Sequence, residues 1–214
     1  MKRFLFFILM IALVIPLFAQ DAKVERVSGK VEYLAPGGMW ISAAAGDVIP
    51  LGATISTGFR STAVLLVGGS EISVLALTRM SIDELVETSD SVTTSLNLRT
   101  GQVRASVRST EGKSTDFTLR SPVSTAAVRG TEFVFDGYRL QVIAGVVTFL
   151  NRLNESKLVQ GGNASETTGD DSPTYPEDNQ QSNSTVTTDT SGAPAGTGYT
   201  GTGTKGNLVI VIGS

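Results

Sequence analysis

Glycine, proline and aspartate interrupt the chain so often between residues 22 and 160 that its apolar residues fall into short runs. Turn signals such as Gly46-Asp47, Pro50, Gly58 and Gly68-Gly69 follow one another every few positions. Short apolar runs at this spacing are typical of strands joined by tight turns. The pattern therefore predicts one all-β domain, a compact β-roll or sandwich, with a short solenoid as a variant of it.

Individual runs predict pairing and burial. The run at residues 63–67 is continuously apolar, which predicts burial on both faces. Residues 80–87 fit a helical stripe as well as a strand, and we interpret them as a strand. Strict alternation at 103–108 and again at 117–120 predicts a hairpin. A second hairpin is predicted where Ala144-Gly145 joins two further apolar runs, at residues 140–142 and 146–150.

Residues 1–20 have the pattern of a secretory signal peptide. Lys2 and Arg3 precede an apolar run at residues 4–18, and cleavage is expected after Ala19 or Gln20. The run is shorter than the ~20 apolar residues that span a bilayer comfortably, so a retained anchor is the weaker alternative. We expect a periplasmic or secreted protein of the bacterial cell envelope, in contact with a membrane only through an uncleaved signal segment.

Charge and composition argue against several functions. The formal net charge is -3, and loss of Lys2 and Arg3 would lower it by two further units. A protein that binds a phosphate backbone needs a concentrated basic face, so nucleic acid is not an expected partner. Cys and His are absent, which excludes thiolate and imidazole metal ligands and Cys-His or Ser-His nucleophiles. We therefore expect no enzymatic activity and no cofactor.

Beyond residue 160 the chain becomes rich in Gly, Ser, Thr, Asn, Asp and Pro, with very few aliphatic residues before Leu208. Such a segment cannot bury enough apolar surface to offset the entropy of ordering it. We therefore divide the chain into a signal segment (1–20), an all-β domain (21–162), a flexible low-complexity tail (163–206) and a C-terminal apolar strand (207–214).

The terminal run Leu208-Val209-Ile210-Val211-Ile212 is costly to leave in water. It has two interpretations, which stay open at this point. It is either the last strand of the same domain, covering a sheet edge, or a strand exchanged with another chain by strand addition.

The most distinctive stretch is SPVSTAAVRGTEFVFD at residues 121–136. Two apolar runs flank Arg129-Gly130-Thr131. Because glycine accepts backbone angles that are closed to other residues, the stretch predicts a strand, a sharp bend at Gly130 and a second strand.

Four segments together resemble the FecR domain family, an all-β periplasmic domain named after iron-transport regulators. They are VSGKV at 27–31, GDVIPLGATISTG at 46–58, LRTGQV at 98–103 and SPVSTAAVRGTEF at 121–133. The resemblance covers roughly residues 24–162, and it implies that family's fold.

The chain also departs from the family's pattern. Gly68-Gly69-Ser70 replaces the usual Asp-Gly-Ser, and Ala144 stands where an acidic residue usually precedes glycine. The iron-transport regulators carry a cytoplasmic anti-sigma segment and a membrane helix before this domain, where a signal peptide is expected here. The resemblance therefore does not imply contact with a sigma factor or a role in siderophore signalling.

Four arginines are candidate partner-binding residues. Arg129 lies beside the bend, where its guanidinium could present a rigid fork to a carboxylate. The alternative is an internal pair with Glu132 or with a strand carbonyl. Arg104, Arg108 and Arg120 would form one outward basic stripe if the first predicted hairpin exists. Their alternative is a solvated sheet face that discourages edge pairing.

Acidic residues do not form a recognisable catalytic or metal site. Asp83, Glu84 and Glu87 are neighbours on one run, whereas a glycosidase needs two carboxylates held ~5 to 10 Å apart across a cleft. Asp170-Asp171 lacks the alternating spacing of a calcium loop.

We therefore expect a non-catalytic, exported binding or scaffold module that recognises an envelope protein or a cell-wall glycan. The alternative is a periplasmic signalling component related to the FecR-type transmembrane regulators.

Overall fold

The computed structural model describes residues 22–109 and 112–174. The signal segment, the tail from residue 175 onward and the terminal run therefore lie outside the described residues. Every regular element of the described part is a β-strand, which confirms the all-β prediction. No helix capable of spanning a membrane occurs in residues 22–109 and 112–174.

Seventeen strands follow one another along the chain. They are β1 (Ala22–Ser28), β2 (Val31–Leu34), β3 (Trp40–Ser42), β4 (Val48–Ile49), β5 (Thr54–Thr57), β6 (Thr62–Val67), β7 (Ser70–Val74), β8 (Arg79–Glu87), β9 (Ser91–Thr100), β10 (Val103–Ser106), β11 (Ser114–Arg120), β12 (Ser124–Val128), β13 (Glu132–Phe135), β14 (Arg139–Ala144), β15 (Val146–Asn151), β16 (Ser156–Gln160) and β17 (Ala164–Glu166).

The strands form two sheets whose order follows the chain. The eight-stranded sheet runs β17-β14-β13-β10-β7-β6-β1-β4, and the nine-stranded sheet runs β16-β15-β12-β11-β9-β8-β5-β2-β3. The chain passes repeatedly from one sheet to the other and advances along both in the same direction. The fold is therefore a sandwich built in the manner of a short solenoid, with each strand bonded to neighbours close in sequence.

The core lies between the two sheets. Phe117 and Phe149 project from the nine-stranded sheet and meet Phe133 and Phe135 of the other one. All four rings are fully buried. The pairs Phe117–Phe133 and Phe135–Phe149 meet edge to face, with ring centroids 6.3 and 6.2 Å apart. Edge-to-face packing adds about 0.5–1.5 kcal/mol per pair to the gain from burial itself.

The predicted bend at Gly130 is present and marks a change of sheet. Gly130 has a φ of 100°, in the region that favours glycine. A Cβ at this position would lie 2.6 Å from Ser109 Oγ. The strand before the bend, β12, pairs with β11 and β15, whereas β13 pairs with β10 and β14 in the opposite sheet. The stretch 121–136 is thus a corner of the sandwich.

Both predicted hairpins are wrong. The strand that contains Phe117 and Leu119 pairs in parallel with β9 and antiparallel with β12, while β10 lies in the other sheet. The runs around Ala144-Gly145 also lie in different sheets. Alternation indicates which face of a strand is buried but not which strand lies beside it, so a corner and a hairpin have the same pattern.

Two further predictions concerned burial and strand type. The run at 63–67 is not buried on both faces, because Leu65 and Val67 are buried whereas Leu66 is 38% exposed. The described residues contain no third layer to cover the outer face of that sheet. Residues 80–87 lie within β8 and confirm the strand interpretation.

The ordered β-structure continues beyond the boundary expected at residue 162. Ala164–Glu166 form β17, which pairs with β14, and Glu166 forms a bridge with Thr174. Ser165 is fully buried, and its hydroxyl donates a hydrogen bond to the Thr174 carbonyl oxygen at 2.9 Å. The polar composition of this segment did not indicate a strand. Hydrogen bonds of its backbone and hydroxyl groups, rather than buried aliphatic side chains, attach it to the domain.

Candidate binding surface

The outer face of the nine-stranded sheet carries a shallow groove across β11, β12 and β15. Its floor is formed by Thr118, Ala127 and Thr148, which lie directly opposite one another on neighbouring strands. Val146 and Leu150 border it, and its volume is about 520 Å³. The groove arises because alanine, with its small side chain, occupies the central strand between two larger residues.

An ion pair closes one end of this groove. Arg129 Nε donates a hydrogen bond to Asp116 Oδ1 at 3.2 Å. The two side chains remain 81% and 49% exposed. An exposed pair of this kind contributes only about 0–1 kcal/mol to stability. The guanidinium therefore has little structural importance at this position and retains donor groups for a ligand.

The pair expected between Arg129 and Glu132 does not form. Glu132 belongs to the opposite sheet, where Arg104 Nη2 donates a hydrogen bond to its carboxylate at 2.5 Å. The chain changes sheets at Gly130. Arg129 and Glu132, although three residues apart in sequence, therefore belong to different sheets and have different partners. The carboxylate that Arg129 contacts comes from β11, which sequence proximity did not indicate.

The predicted stripe of Arg104, Arg108 and Arg120 is not formed. Arg104 is on β10 of the eight-stranded sheet, and Arg120 is on β11 of the nine-stranded sheet. Arg108 is an exposed residue of the loop that follows β10. The stripe depended on the hairpin between β10 and β11, and it is excluded with that hairpin.

The surface offers binding groups rather than reactive ones. Hydroxyl groups of Thr118 and Thr148, small apolar side chains and one guanidinium line the groove. Within the described ranges, no three acidic side chains come together in a way that could hold a metal ion. The arrangement can hold another chain against the sheet by packing and hydrogen bonds.

These observations define the class as a two-sheet, all-β domain with a shallow groove on one outer face. Residues 53–148 match the family model described as "FecR protein". This match confirms the resemblance to the FecR family that the segments at 46–58, 98–103 and 121–133 predicted.

Two crystal structures of a protein provisionally described as an anti-sigma factor, from Parabacteroides distasonis ATCC 8503, are similar to this chain. They are 17% and 18% identical to it, with TM-scores of 0.47 and 0.45. In each case the alignment covers 57% of this chain and 59% of the other. The chain thus spans about three fifths of those structures, and similarity at this level carries no argument about function. No curated protein matches the chain.

Proposed function

We propose that this protein is a non-catalytic, exported binding module of the cell envelope, and that it recognises its partner through the groove on the nine-stranded sheet. The observation that carries this proposal is the groove floor of Thr118, Ala127 and Thr148 beside the exposed Arg129. The match of residues 53–148 to the FecR family model supports a periplasmic setting. The signal pattern at residues 1–20 supports export.

The groove fits an extended partner better than a small molecule. It is shallow, open to solvent along its length and formed by straight strands, whereas pockets for small ligands enclose most of the ligand surface. A partner that lies across β11, β12 and β15 would contact side chains that repeat every second residue along each strand.

One observation favours a second function. In it the protein is a signalling component that reports the condition of the envelope to a separate regulator. The family match covers residues 53–148 and includes the groove strands β11 and β12 in full. The surface that binds a structural partner in the first case would bind a membrane regulator in the second.

Site-specific crosslinking in the native cell tests the proposal. A photo-crosslinking amino acid at position 127 in the groove should capture a partner. The matched control is position 141 on β14, which is exposed on the outer face of the other sheet. Mass spectrometry of the adducts identifies the partner.

The outcomes separate the two functions. A structural envelope protein or a glycan captured at position 127 supports the binding module, and a membrane regulator supports the signalling component. Equal capture at positions 127 and 141 would refute the groove as the binding surface. Turnover of an envelope polymer by the purified protein would overturn both functions.

A further inference from the structure

Three arginines lie side by side on the outer face of the nine-stranded sheet, away from the groove floor. Arg79 is on β8, Arg99 on β9 and Arg120 on β11, which are successive strands of that sheet. All three side chains are exposed. The adjacent residues on the same strands are buried between the sheets: Met80, Leu98 and Leu119. Alternation therefore places the three arginines, here called the arginine row, on one surface.

Strand register fixes the spacing within the arginine row. Arg79 lies opposite Thr100, beside Arg99, at a bulge between β8 and β9. Arg120 lies opposite Asn97, two residues before Arg99 on the same face. Direct neighbours on adjacent strands are about 5 Å apart, and diagonal neighbours are about 8 Å apart. The Cβ atoms of the three arginines thus follow one another at intervals of about 5–8 Å.

The arginine row forms no ion pair within residues 22–109 and 112–174. Seven basic side chains in the described part form ion pairs with carboxylates, and Arg79, Arg99 and Arg120 are not among them. Two carboxylates of the same sheet have other partners. Glu32 pairs with Lys30 at 3.2 Å. Asp83 accepts a hydrogen bond from the Ser81 hydroxyl at 2.7 Å.

A third carboxylate, just after β13, hydrogen-bonds to neighbouring backbone groups. Asp136 Oδ1 accepts hydrogen bonds from the backbone N–H groups of Tyr138 and Arg139, at 2.9 and 2.8 Å. Like charges on neighbouring strands reduce the stability of a sheet unless something opposes them. Because no carboxylate of residues 22–109 and 112–174 forms an ion pair with the row, its guanidinium groups remain open to an acidic ligand.

One end of the arginine row is held in place by an aromatic ring. The Arg79 guanidinium lies over the Trp40 ring, with its central carbon 5.5 Å from the ring centroid. This contact restricts the long side chain and leaves its N–H groups available.

We propose that the arginine row binds a short acidic segment of a partner protein in extended conformation. Alternate side chains of an extended chain lie about 6.6–6.8 Å apart on one face, which matches the spacing of the row. Arginine binds carboxylates through paired N–H donors, so two or three acidic side chains can be held at once. This inference rests on the proposed function and specifies the chemistry of the partner.

The rest of the surface disfavours a long polyanion. The whole chain has a formal charge of -3, and Asp116 and Glu84 lie on the same sheet toward its other end. A polyphosphate or a nucleic acid would extend beyond the row and meet these carboxylates. A short acidic peptide ends before it reaches them.

A synthetic decapeptide with glutamate at alternate positions and serine between them is the probe. Calorimetry measures its binding to the whole protein, and Trp40, the single tryptophan of the chain, provides a fluorescence signal beside the site. The triple variant Arg79→Gln, Arg99→Gln, Arg120→Gln should bind the peptide at least about tenfold more weakly, because each lost charge-assisted contact weakens binding severalfold.

The matched control is the triple variant Arg26→Gln, Arg104→Gln, Arg139→Gln. It makes the same change in net charge on the eight-stranded sheet, where these arginines are also exposed. It should bind the peptide as the unchanged protein does. A peptide with glutamine in place of glutamate should not bind.

Several results would overturn the proposal. They are equal weakening in the two triple variants, no binding of the glutamate peptide to the unchanged protein, and binding of oligogalacturonate or polyphosphate at the row in place of the peptide. If crosslinking at position 127 captures the same partner in the row variant, the row proposal fails while the proposed function stands. If position 127 captures nothing although the row binds the peptide, the groove is refuted as the binding surface and the row proposal is retained.

Discussion

Replacing Gly101 with alanine should destabilise the domain more than the same change at a glycine in open space. Gly101 forms the corner between β9 and β10, with a φ of 92°. An added Cβ would lie 2.4 Å from Thr78 Cα and 2.3 Å from Thr78 Oγ1. Since Cα is part of the backbone, rotation of the threonine side chain cannot relieve the overlap.

The expected loss has three parts. An L-residue at positive φ costs about 1–2 kcal/mol. Overpacking in a closely packed region adds about 1–3 kcal/mol. Movement of Thr78 also disturbs its two hydrogen bonds with the backbone of Gln102, at 3.0 and 3.1 Å, each with a net value of about 1 kcal/mol. With both hydrogen bonds lost, we expect a total of about 4–7 kcal/mol.

Gly69 provides the control. It has a φ of 77° and no atom within 4 Å of an added Cβ, so Gly69→Ala should cost only the conformational part, about 1–2 kcal/mol. Urea unfolding followed by circular dichroism measures both variants. The free energy of unfolding falls by about 2 kcal/mol per M urea. The midpoint should therefore fall by about 2–3.5 M for Gly101→Ala and by about 0.5–1 M for Gly69→Ala. Equal shifts in the two variants would refute the corner overlap.

Four further predictions follow from the described contacts. Phe135→Ala should lower the unfolding free energy by about 3–5 kcal/mol, because the ring is fully buried; a loss below 1 kcal/mol in urea unfolding would contradict this. Arg129→Ala should change it by no more than about 1 kcal/mol, since its ion pair is exposed. Thr115→Val should raise thermal stability by about 1 kcal/mol, because the buried Thr115 hydroxyl has no hydrogen-bond partner among the described residues; a lower melting temperature would argue against it. A chain ending at Gly162 should melt at a lower temperature than one ending at Thr174, because the shorter chain lacks β17; equal melting temperatures would show that β17 adds nothing.

The sequence predicted the fold class and the conformation of single positions well. Alternation identified the buried face at Val103 and Ala105, and the bend at Gly130 followed from residue type alone. These properties depend on local geometry and on the burial of one side chain at a time, which short segments of sequence encode directly.

Pairing between strands was much less predictable. Gly130 and Gly145 lie at corners that change sheets, whereas Gly68 and Gly69 join β6 and β7 in a hairpin within one sheet, and in each case glycine stands between two apolar runs. The candidate stripe of Arg104, Arg108 and Arg120 failed for that reason. The arginine row was not foreseen because its members are 20 and 21 residues apart in sequence and become neighbours only through the register of β8, β9 and β11.

The order of strands in the two sheets has a consequence for how the domain is made. Most strands bond to partners that precede them by only a few tens of residues, so each new strand can add to an edge that already exists as the chain is synthesised. The chain segments that must close to pair two strands are correspondingly short for an all-β protein. Short closures favour faster folding than in Greek-key sandwiches of similar size. A chain whose synthesis is incomplete would then form a shorter but regular pair of sheets. Its last strand would be an unpaired edge, to which the next strand can add.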